Sequence, residues 1–595
     1  MAENIHFLSG NEAIAHGAFK AGCRVAAAYP GTPSTEILQH VAKFKDQIYC
    51  EWSVNEKVAM EVVIGASFAG ARALTAMKHV GLNVAADPLM TFAYIGTNGG
   101  LVIVTADDPG MHSSQNEQDN RFFARFAKVP LFEPSDSQEA YDMTVAAYEV
   151  SERYGSPVML RMTTRTSHSS TLVDLGDFTP QAPGERGYVK DVAKNIPVPV
   201  FARQMRVKLE ERLALLRDYA ESCPFNRIEA GDGHFGIITS GITYQYVKEV
   251  FPEASVLKLG FTNPLPKELI RQFAAGVERL YVVEELEPFL EEQIRAMGIP
   301  VQEYPASLRL GELNPDRIAR LRAEICGETL PTPRTVPESE GLPARPPVLC
   351  AGCGHRGVFY ALNRLNATVT GDIGCYSLGM FKPLYAMDTI VCMGASIGNA
   401  FGFEKAGHQG RVAAVLGDST FFHSGLTGLL NVVYNRGITT VVVLDNRTTA
   451  MTGHQDHPGT GKTLMGETTR ETTIEQAARG LGVERVRVID PYDLEETERV
   501  LREELDAPEP SVVVAQRACV IGAKMPVTRQ FSIAQEACTG CRACLRLGCP
   551  ALELAETHPQ HPNRRRVRIN PVLCTGCGMC VQLCKFSAIT ETRKT

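Results

Sequence analysis

Residues 411–446 read RVAAVLGDSTFFHSGLTGLLNVVYNRGITTVVVLDN, and the architecture follows from this stretch. Residues 411–416 have the short apolar run of a buried strand, 424–435 the apolar spacing of a helix, and 439–444 a second buried strand. Strand, helix and strand at this spacing make a βαβ unit, whose crossover is right-handed and whose strands are parallel. Parallel strands deliver the residues just past their ends to one edge of the sheet, the edge where α/β proteins bind ligands. Gly417, Asp418 and Ser419 come directly after the first strand, and Asp445 and Asn446 end the second. A carboxylate and an amide oxygen there suit Mg2+, which takes a few protein oxygens and completes its shell with phosphate and water. Gly417 leaves a diphosphate room to approach the backbone, and the helix amino end favours its negative charge. Strand-end Asp and Asn also serve as caps and turn formers, so the pair alone leaves that alternative open.

Downstream, eight of the seventeen cysteines fall within residues 538–595, in two runs that each contain C-x2-C-x2-C. This spacing lets three thiolates of one turn grip a cubic iron–sulfur cluster while the other run supplies the fourth. Crossed in this way, Cys538, Cys541, Cys544 and Cys584 hold one [4Fe-4S] cluster, and Cys549, Cys574, Cys577 and Cys580 hold the second. The array resembles bacterial-type two-cluster ferredoxins. It departs from them in a longer loop before Cys549 and in Lys585, which stands where proline is usual. A zinc ribbon or a disulfide framework is the alternative, but zinc would leave the middle cysteine of each triplet idle. The same stretch has nine Lys and Arg against three Glu, a net +6 that offsets thiolate and sulfide charge. Within it Arg564, Arg565, Arg566 and Arg568 read as a solvated face or as an attraction for an acidic electron carrier.

The rest of the chain is too long to serve only as a ferredoxin. At 595 residues, with 44% hydrophobic and 21% charged, three to four globular domains are expected. The whole carries −7, so the residues before the tail hold about −13, which argues against nucleic acid as a partner. No apolar run is long enough to span a bilayer, and MAENIHFLSG lacks the regions of a signal peptide, so a cytoplasmic protein is expected. Iron–sulfur thiols and nine further cysteines also fit a reducing compartment. Six prolines in residues 327–347 mark a linker. The expected plan is an α/β fold of several parallel-sheet domains followed by a small α+β two-cluster domain. Its parts are 1–165, a second α/β domain at 166–326, the linker, 348–530 and 531–595. The second domain alternates strand and helix through 235–285 and carries nothing catalytic, which makes it a scaffold or dimer contact.

Flanking the βαβ unit are CAGCGHR from Cys350, GDIGCYSLG from Gly371 and MGASIGNAFG from Met393. These segments resemble the cofactor-binding segments of the 2-oxoacid:ferredoxin oxidoreductases, and Gly-Asp with an Asn 28 residues beyond resembles the thiamine diphosphate motif. The resemblance implies that Cys353, Gly354, His355, Gly374, Cys375, Gly417, Asp418, Ser419 and Asn446 contact thiamine diphosphate. It further implies that Asp418, Asn446 and the carbonyl of Thr448 hold Mg2+. Half a zinc site or a redox pair is the alternative for Cys350 and Cys353, and plain burial for Cys375. Residues 456–463, DHPGTGKT, nearly spell a phosphate-binding P-loop, but Asp456 replaces its first glycine and no strand leads into it, so a plain loop is expected.

The first 160 residues resemble the family's pyrimidine-binding module. YPGTPST from Tyr29 ends a strand-like run, and EWSVNEKVAMEVVIGASFAGAR from Glu51 places acids before a helix rich in small residues. The resemblance gives Glu56 the role of hydrogen-bonding the coenzyme's pyrimidine nitrogen, and gives Thr32 the substrate carboxylate. Glu51 and Glu61 compete with Glu56, and an acid in a helix's first turn needs no function beyond the dipole. His79 and His112 lie in matching segments without an assignable step. Domain order is similar, over nearly the whole chain, to the large subunits of the family's indolepyruvate branch. The resemblance thereby implies oxidative decarboxylation of an aryl pyruvate to its coenzyme A thioester and CO2, with electrons passing through the clusters to ferredoxin. It also implies a smaller second subunit in an α2β2 assembly. Pyruvate or branched-chain 2-oxoacids are alternative substrates, and a non-catalytic electron-transfer subunit is the alternative outside enzymes.

Overall fold

The structure, a computed structural model, describes residues 4–592 except 182–186, 189, 330–345 and 525, so most of the proline-rich 327–347 stretch lies outside the described residues. The chain forms two compact units, residues 1–340 and 341–595.

In the first unit a seven-stranded sheet runs in the order Phe261–Asn263, Leu131–Phe132, Val158–Thr163, Leu101–Asp107, Ala73–Lys78, Val25–Ala28, Tyr49–Trp52. Every neighbouring pair is parallel except the first. Helices cover both faces, which is why strands such as LVIVTAD are buried throughout. A second sheet orders Arg279–Val283, Phe235–Ser240, Ser255–Leu259 and Arg227–Glu229, with only the last pair antiparallel. The boundary expected at residue 165 is crossed twice. Ser170–Asp174 pairs with Ile5–Ser9, and Phe261–Asn263 leaves the second domain to extend the first sheet. Edge strands of three to five residues carry too little periodicity to be seen in the sequence. Buried ion pairs join these layers: Arg121 pairs with Asp119 and, at 2.7 Å, with Glu284, and Arg161 pairs with Asp107 and Glu133 at 2.6 Å each.

The second unit is built on an all-parallel six-stranded sheet ordered Thr389–Ile390, Thr368–Gly371, Val412–Gly417, Thr440–Asp445, Ser511–Gln516, Arg485–Ile489. The expected βαβ unit is its centre, with one difference. The helix does not wait until residue 424: it starts at Asp418 directly off the strand and runs as Asp418–Thr420, a π turn Phe421–Gly425, and Leu426–Tyr434. A π turn inserts an extra residue per turn, which breaks the 3.6 spacing that sequence periodicity detects. The tail adds two antiparallel ribbons, Gln530–Ile533 with Ile589–Thr592 and Leu552–His558 with His561–Ile569. Its cysteines lie in the loops between them. Leu547 and Met579 of the tail are buried in the same apolar cluster as Val358, Phe359 and Val415 of the sheet domain, so the tail packs directly on it.

Candidate active site

At the carboxyl edge of the six-stranded sheet the expected oxygens converge. The N–H of Thr448 donates to Asp418 Oδ2 and to Asn446 Oδ1, at 3.2 Å each. Asp418 is buried, and its neighbour Ser419 donates its backbone N–H to Oδ1 at 2.8 Å. Two residues outside the sequence expectation join them. Asp445, also buried, reaches the Asp418 carboxylate, and His457 Nε2 stands 3.1 Å from Asp418 Oδ2. Gly459 donates its N–H to His457 Nδ1, while Nε2 itself is buried without a well-aligned hydrogen-bond partner. Burial raises both acids, and the charge of Asp418 raises Asp445 further. In Asp418 the His457 ring and the Ser419 N–H outweigh burial and hold the carboxyl below the usual range. Two carboxylates and an amide oxygen crowded at a sheet edge are a donor set that fits a hard divalent cation.

The flanking segments surround this edge. His355, at the start of the His355–Arg364 helix, lies within the field of Asp418, and burial pushes it down to about 4. Its ring meets that of Tyr376 edge-on, with centroids 6.1 Å apart. Gly417 proves to serve that tyrosine: a Cβ at 417 would lie 2.7 Å from the Tyr376 ring, and one at Gly374 would lie within 2.4 Å of it. The space a side chain at 417 would take is thus filled by an aromatic ring. Asp372 is fully buried and accepts from the N–H groups of Gly394 (2.8 Å) and Ser396 (3.2 Å), which caps the Ala395–Lys405 helix of the MGASIGNAFG segment. Residues 456–463 form a loop entered by no strand.

The thiols of CAGCGHR and GDIGC meet each other. Cys350, Cys353 and Cys375 lie within one another's fields, and Cys519 lies within those of Cys350 and Cys375. Burial pushes Cys353 up to about 12. Cys519 also ties this set to the oxygen edge, for its N–H donates to the carbonyl of Asn446 at 2.9 Å. Cys519 has no motif around it in the sequence, and only the return of the chain past the Ser511–Gln516 strand end brings it here.

In the tail the structure brings the eight cysteines together in two groups. Cys538, Cys541, Cys544 and Cys584 line a single small cavity with Ile533, Val567 and Phe586. Cys574, Cys577, Cys580 and Cys549 form the second set, and Cys580 also feels Cys544 of the first. Left-handed backbone at Gly540, Gly576 and Gly578 turns these loops inward. Among the described residues no three His, Cys, Asp or Glu side chains close on a single-ion point. Thiols that grip corners of a cube stand further apart than the ligands of one ion, so the donor chemistry fits iron–sulfur clusters. None of the seventeen cysteines is joined in a disulfide.

In the first unit, Glu56 opens the Glu56–Phe68 helix, which Asn55 caps by accepting from the Val58 N–H at 2.9 Å. Its side chain is only 5% exposed. A Cβ at Gly81 would lie 2.7 Å from Glu56 Oε1, so the chain lacks a side chain at 81 where this carboxylate sits. Of the competitors, Glu51 accepts from Tyr49 and Ser53, and Glu61 forms an exposed pair with Lys57. Thr32 is half-buried in a turn whose Pro33 carbonyl accepts from Asn11 at 2.7 Å, and Gly31 there abuts Lys78. Burial lowers Lys78 to about 8. His79 is fully buried and contacts the carbonyl of Asn116, while His112 is exposed and faces Glu312.

Residues 16–186 match the family model described as pyruvate flavodoxin/ferredoxin oxidoreductase, thiamine diphosphate-binding. Residues 372–515 match the thiamine pyrophosphate enzyme C-terminal domain, and 530–585 the 4Fe-4S dicluster domain. The indolepyruvate oxidoreductase subunit IorA of Pyrococcus abyssi is 42% identical, with 99% of this chain and 97% of the relative aligned. The IorA subunit of Archaeoglobus fulgidus is 42% identical over the same shares. A 2-oxoglutarate synthase subunit KorA of Methanocaldococcus jannaschii is 33% identical over 29% of this chain and 50% of its own. The convergent oxygens, the clustered thiols and these full-length relatives agree, and the chain belongs to the IorA subunits of the 2-oxoacid:ferredoxin oxidoreductase family.

Proposed function

We propose that this chain is the large subunit of an enzyme that oxidatively decarboxylates an aryl pyruvate such as indolepyruvate. One 2-oxoacid anion, one coenzyme A and two oxidised ferredoxins give the acyl thioester, CO2, two reduced ferredoxins and the proton of the coenzyme A thiol. The observation that carries this reading is the coexistence, in one unit, of the Asp418–Asn446 oxygen edge with cysteine sets fit for clusters. A non-catalytic electron carrier has no use for that edge.

Thiamine diphosphate, when bound, supplies the electron sink for decarboxylation. Asp418, Asn446 and Thr448 would hold its Mg2+, with His457 orienting the Asp418 carboxylate from behind. Ser419, Gly354, His355, Gly374 and Gly417 line its surroundings. Glu56, in the first unit, would hold the pyrimidine ring through a buried carboxylate, and Thr32 would receive the substrate carboxylate. Cys353 and Cys375, expected as thiamine contacts, serve better with Cys350 and Cys519 as the ligands of a third cluster. The sets then form a series: the oxygen edge, Cys350/353/375/519, Cys549/574/577/580, and Cys538/541/544/584. Tyr492 supports the middle step, since its hydroxyl donates to the carbonyl of Gly352, its own carbonyl accepts from Gln582, and it lies in the fields of Cys353 and Cys577. A smaller partner subunit, an α2β2 assembly and a reducing cytoplasm complete the reading. Among the described residues no helix is long and apolar enough to cross a membrane.

The test is to assay purified two-subunit enzyme for thiamine diphosphate and iron, then to compare initial rates on indolepyruvate, phenylpyruvate, pyruvate and 2-oxoisovalerate with a dye acceptor. Aryl pyruvates should be preferred. Iron without thiamine would favour a non-catalytic carrier, and faster turnover of pyruvate would reassign the substrate.

A further inference from the structure

Arg356 follows His355 on the helix that begins at the CAGCGHR loop, and its side chain is 1% exposed. Each of its three nitrogens donates to a backbone carbonyl. Nε donates to the carbonyl of Cys350 at 3.0 Å, Nη1 to that of Leu547 at 2.9 Å, and Nη2 to that of Leu349. The contact to Leu547 reaches into the tail, two residues before Cys549. Gly548 makes room for it: φ there is +63°, and a Cβ would lie 3.3 Å from Arg356 Nη1 and 2.8 Å from Pro383.

Among the described residues no carboxylate pairs with this guanidinium. Carbonyl dipoles accept from three of its N–H groups but leave its net charge uncompensated, and a buried cation without a counter-ion is unfavourable. The titratable groups that act on it most strongly are thiols, Cys549 and Cys577 on the tail side and Cys350 and Cys353 on the loop side. Thiols are neutral until iron binds. Once four thiolates hold a cluster, that cluster carries net negative charge, and each electron it accepts adds one more. A fixed cation beside it therefore stabilises the reduced form more than the oxidised form.

We propose that Arg356 is the counter-cation of the cluster held by Cys549, Cys574, Cys577 and Cys580, raising its reduction potential so that it accepts electrons from the thiamine side. Through its three carbonyl bonds the same side chain clamps the CAGCGHR loop to the tail. This assignment rests on the reading of those cysteines as cluster ligands and goes beyond it, because a clamp alone would need N–H donors but no charge.

The experiment is an EPR-monitored redox titration of the two-subunit enzyme as wild type, Arg356→Lys and Arg356→Met, with iron counted in each. In Arg356→Met, at the wild-type midpoint, the ratio of reduced to oxidised cluster should fall about tenfold for one cluster, equal to ~59 mV for a one-electron couple. Arg356→Lys keeps the charge and should stay within about threefold of wild type. Unchanged potentials in Arg356→Met, or a shift in Arg356→Lys as large as in Arg356→Met, would overturn the assignment while leaving the cluster reading intact. Should Arg356→Met fail to accumulate, Arg356→Gln, which keeps N–H donors without the charge, decides: a fall of about tenfold in the ratio supports the charge, and an unchanged ratio refutes it. A wild-type enzyme without cluster signals would overturn both.

Discussion

Asp418 and Asn446 stand at the ends of strands buried almost from end to end, whereas Cys574 and Cys577 sit in loops between two-stranded ribbons whose residues are mostly exposed. The oxygen edge is held by the βαβ unit around it: a parallel ladder, a helix that starts on Asp418 itself, and hydrogen bonds from Ser419 and Thr448. The tail has a small core of its own, chiefly Phe531, Leu552, Val567 and Ile589, closed by cysteines that line it. A stretch of some sixty residues is marginal on its own core, and this one leans besides on the sheet domain through Leu547 and Met579. The contrast teaches that one site exists before its cofactor while the other depends on it.

The largest expected effect breaks that contrast or proves it. Removing iron with a chelator under reducing conditions should abolish amide hydrogen-exchange protection in residues 530–592 and leave the Val412–Gly417 and Thr440–Asp445 strands protected, because cluster binding there is also folding energy. Equal loss in both regions would show a single cooperative unit. Next, Asp418→Ala should lower turnover about ten-thousandfold by removing a metal ligand. Its thermal midpoint should be unchanged or slightly higher, since Asp445 loses a neighbouring charge; steady-state assay and calorimetry check the two halves. Glu56→Gln, at the start of an equally regular helix, should cost about a thousandfold in turnover with little loss of stability, as expected for a group in proton-transfer chemistry. Gly81→Ala leaves Glu56 in place but pushes a methyl against its carboxylate. Displacement of that order should cost about a hundredfold, read as a fall in kcat with near-normal thiamine content.

The same contrast governs what could be read from the chain before its structure. The parallel sheet and the placement of Asp418 and Asn446 were legible because buried strands and a crossover helix leave periodic apolar runs. The two cysteine runs were legible because iron–sulfur spacing is local. Asp445 was visible beside Asn446, but its pairing with Asp418 depends on strand register, which periodicity does not report. His457 and Cys519 arrive from loops that return to the sheet edge, so only the folded path brings them there. At Gly417 the missing side chain was evident, but the sequence does not say that the Tyr376 ring packs where a Cβ would lie. Arg356 reads as an ordinary helical residue until the tail folds back and leaves it without water.

The central claim is that reducing power generated at the oxygen edge drains into cysteine-held clusters of the same chain. Wild-type and Asp418→Ala enzymes of equal iron content, mixed anaerobically with indolepyruvate and coenzyme A without ferredoxin and frozen for EPR, test it most directly. The account predicts reduced-cluster signals in the wild type, none in Asp418→Ala, and full signals in both after dithionite. Equal reduction of both by the 2-oxoacid, or of neither, would contradict it.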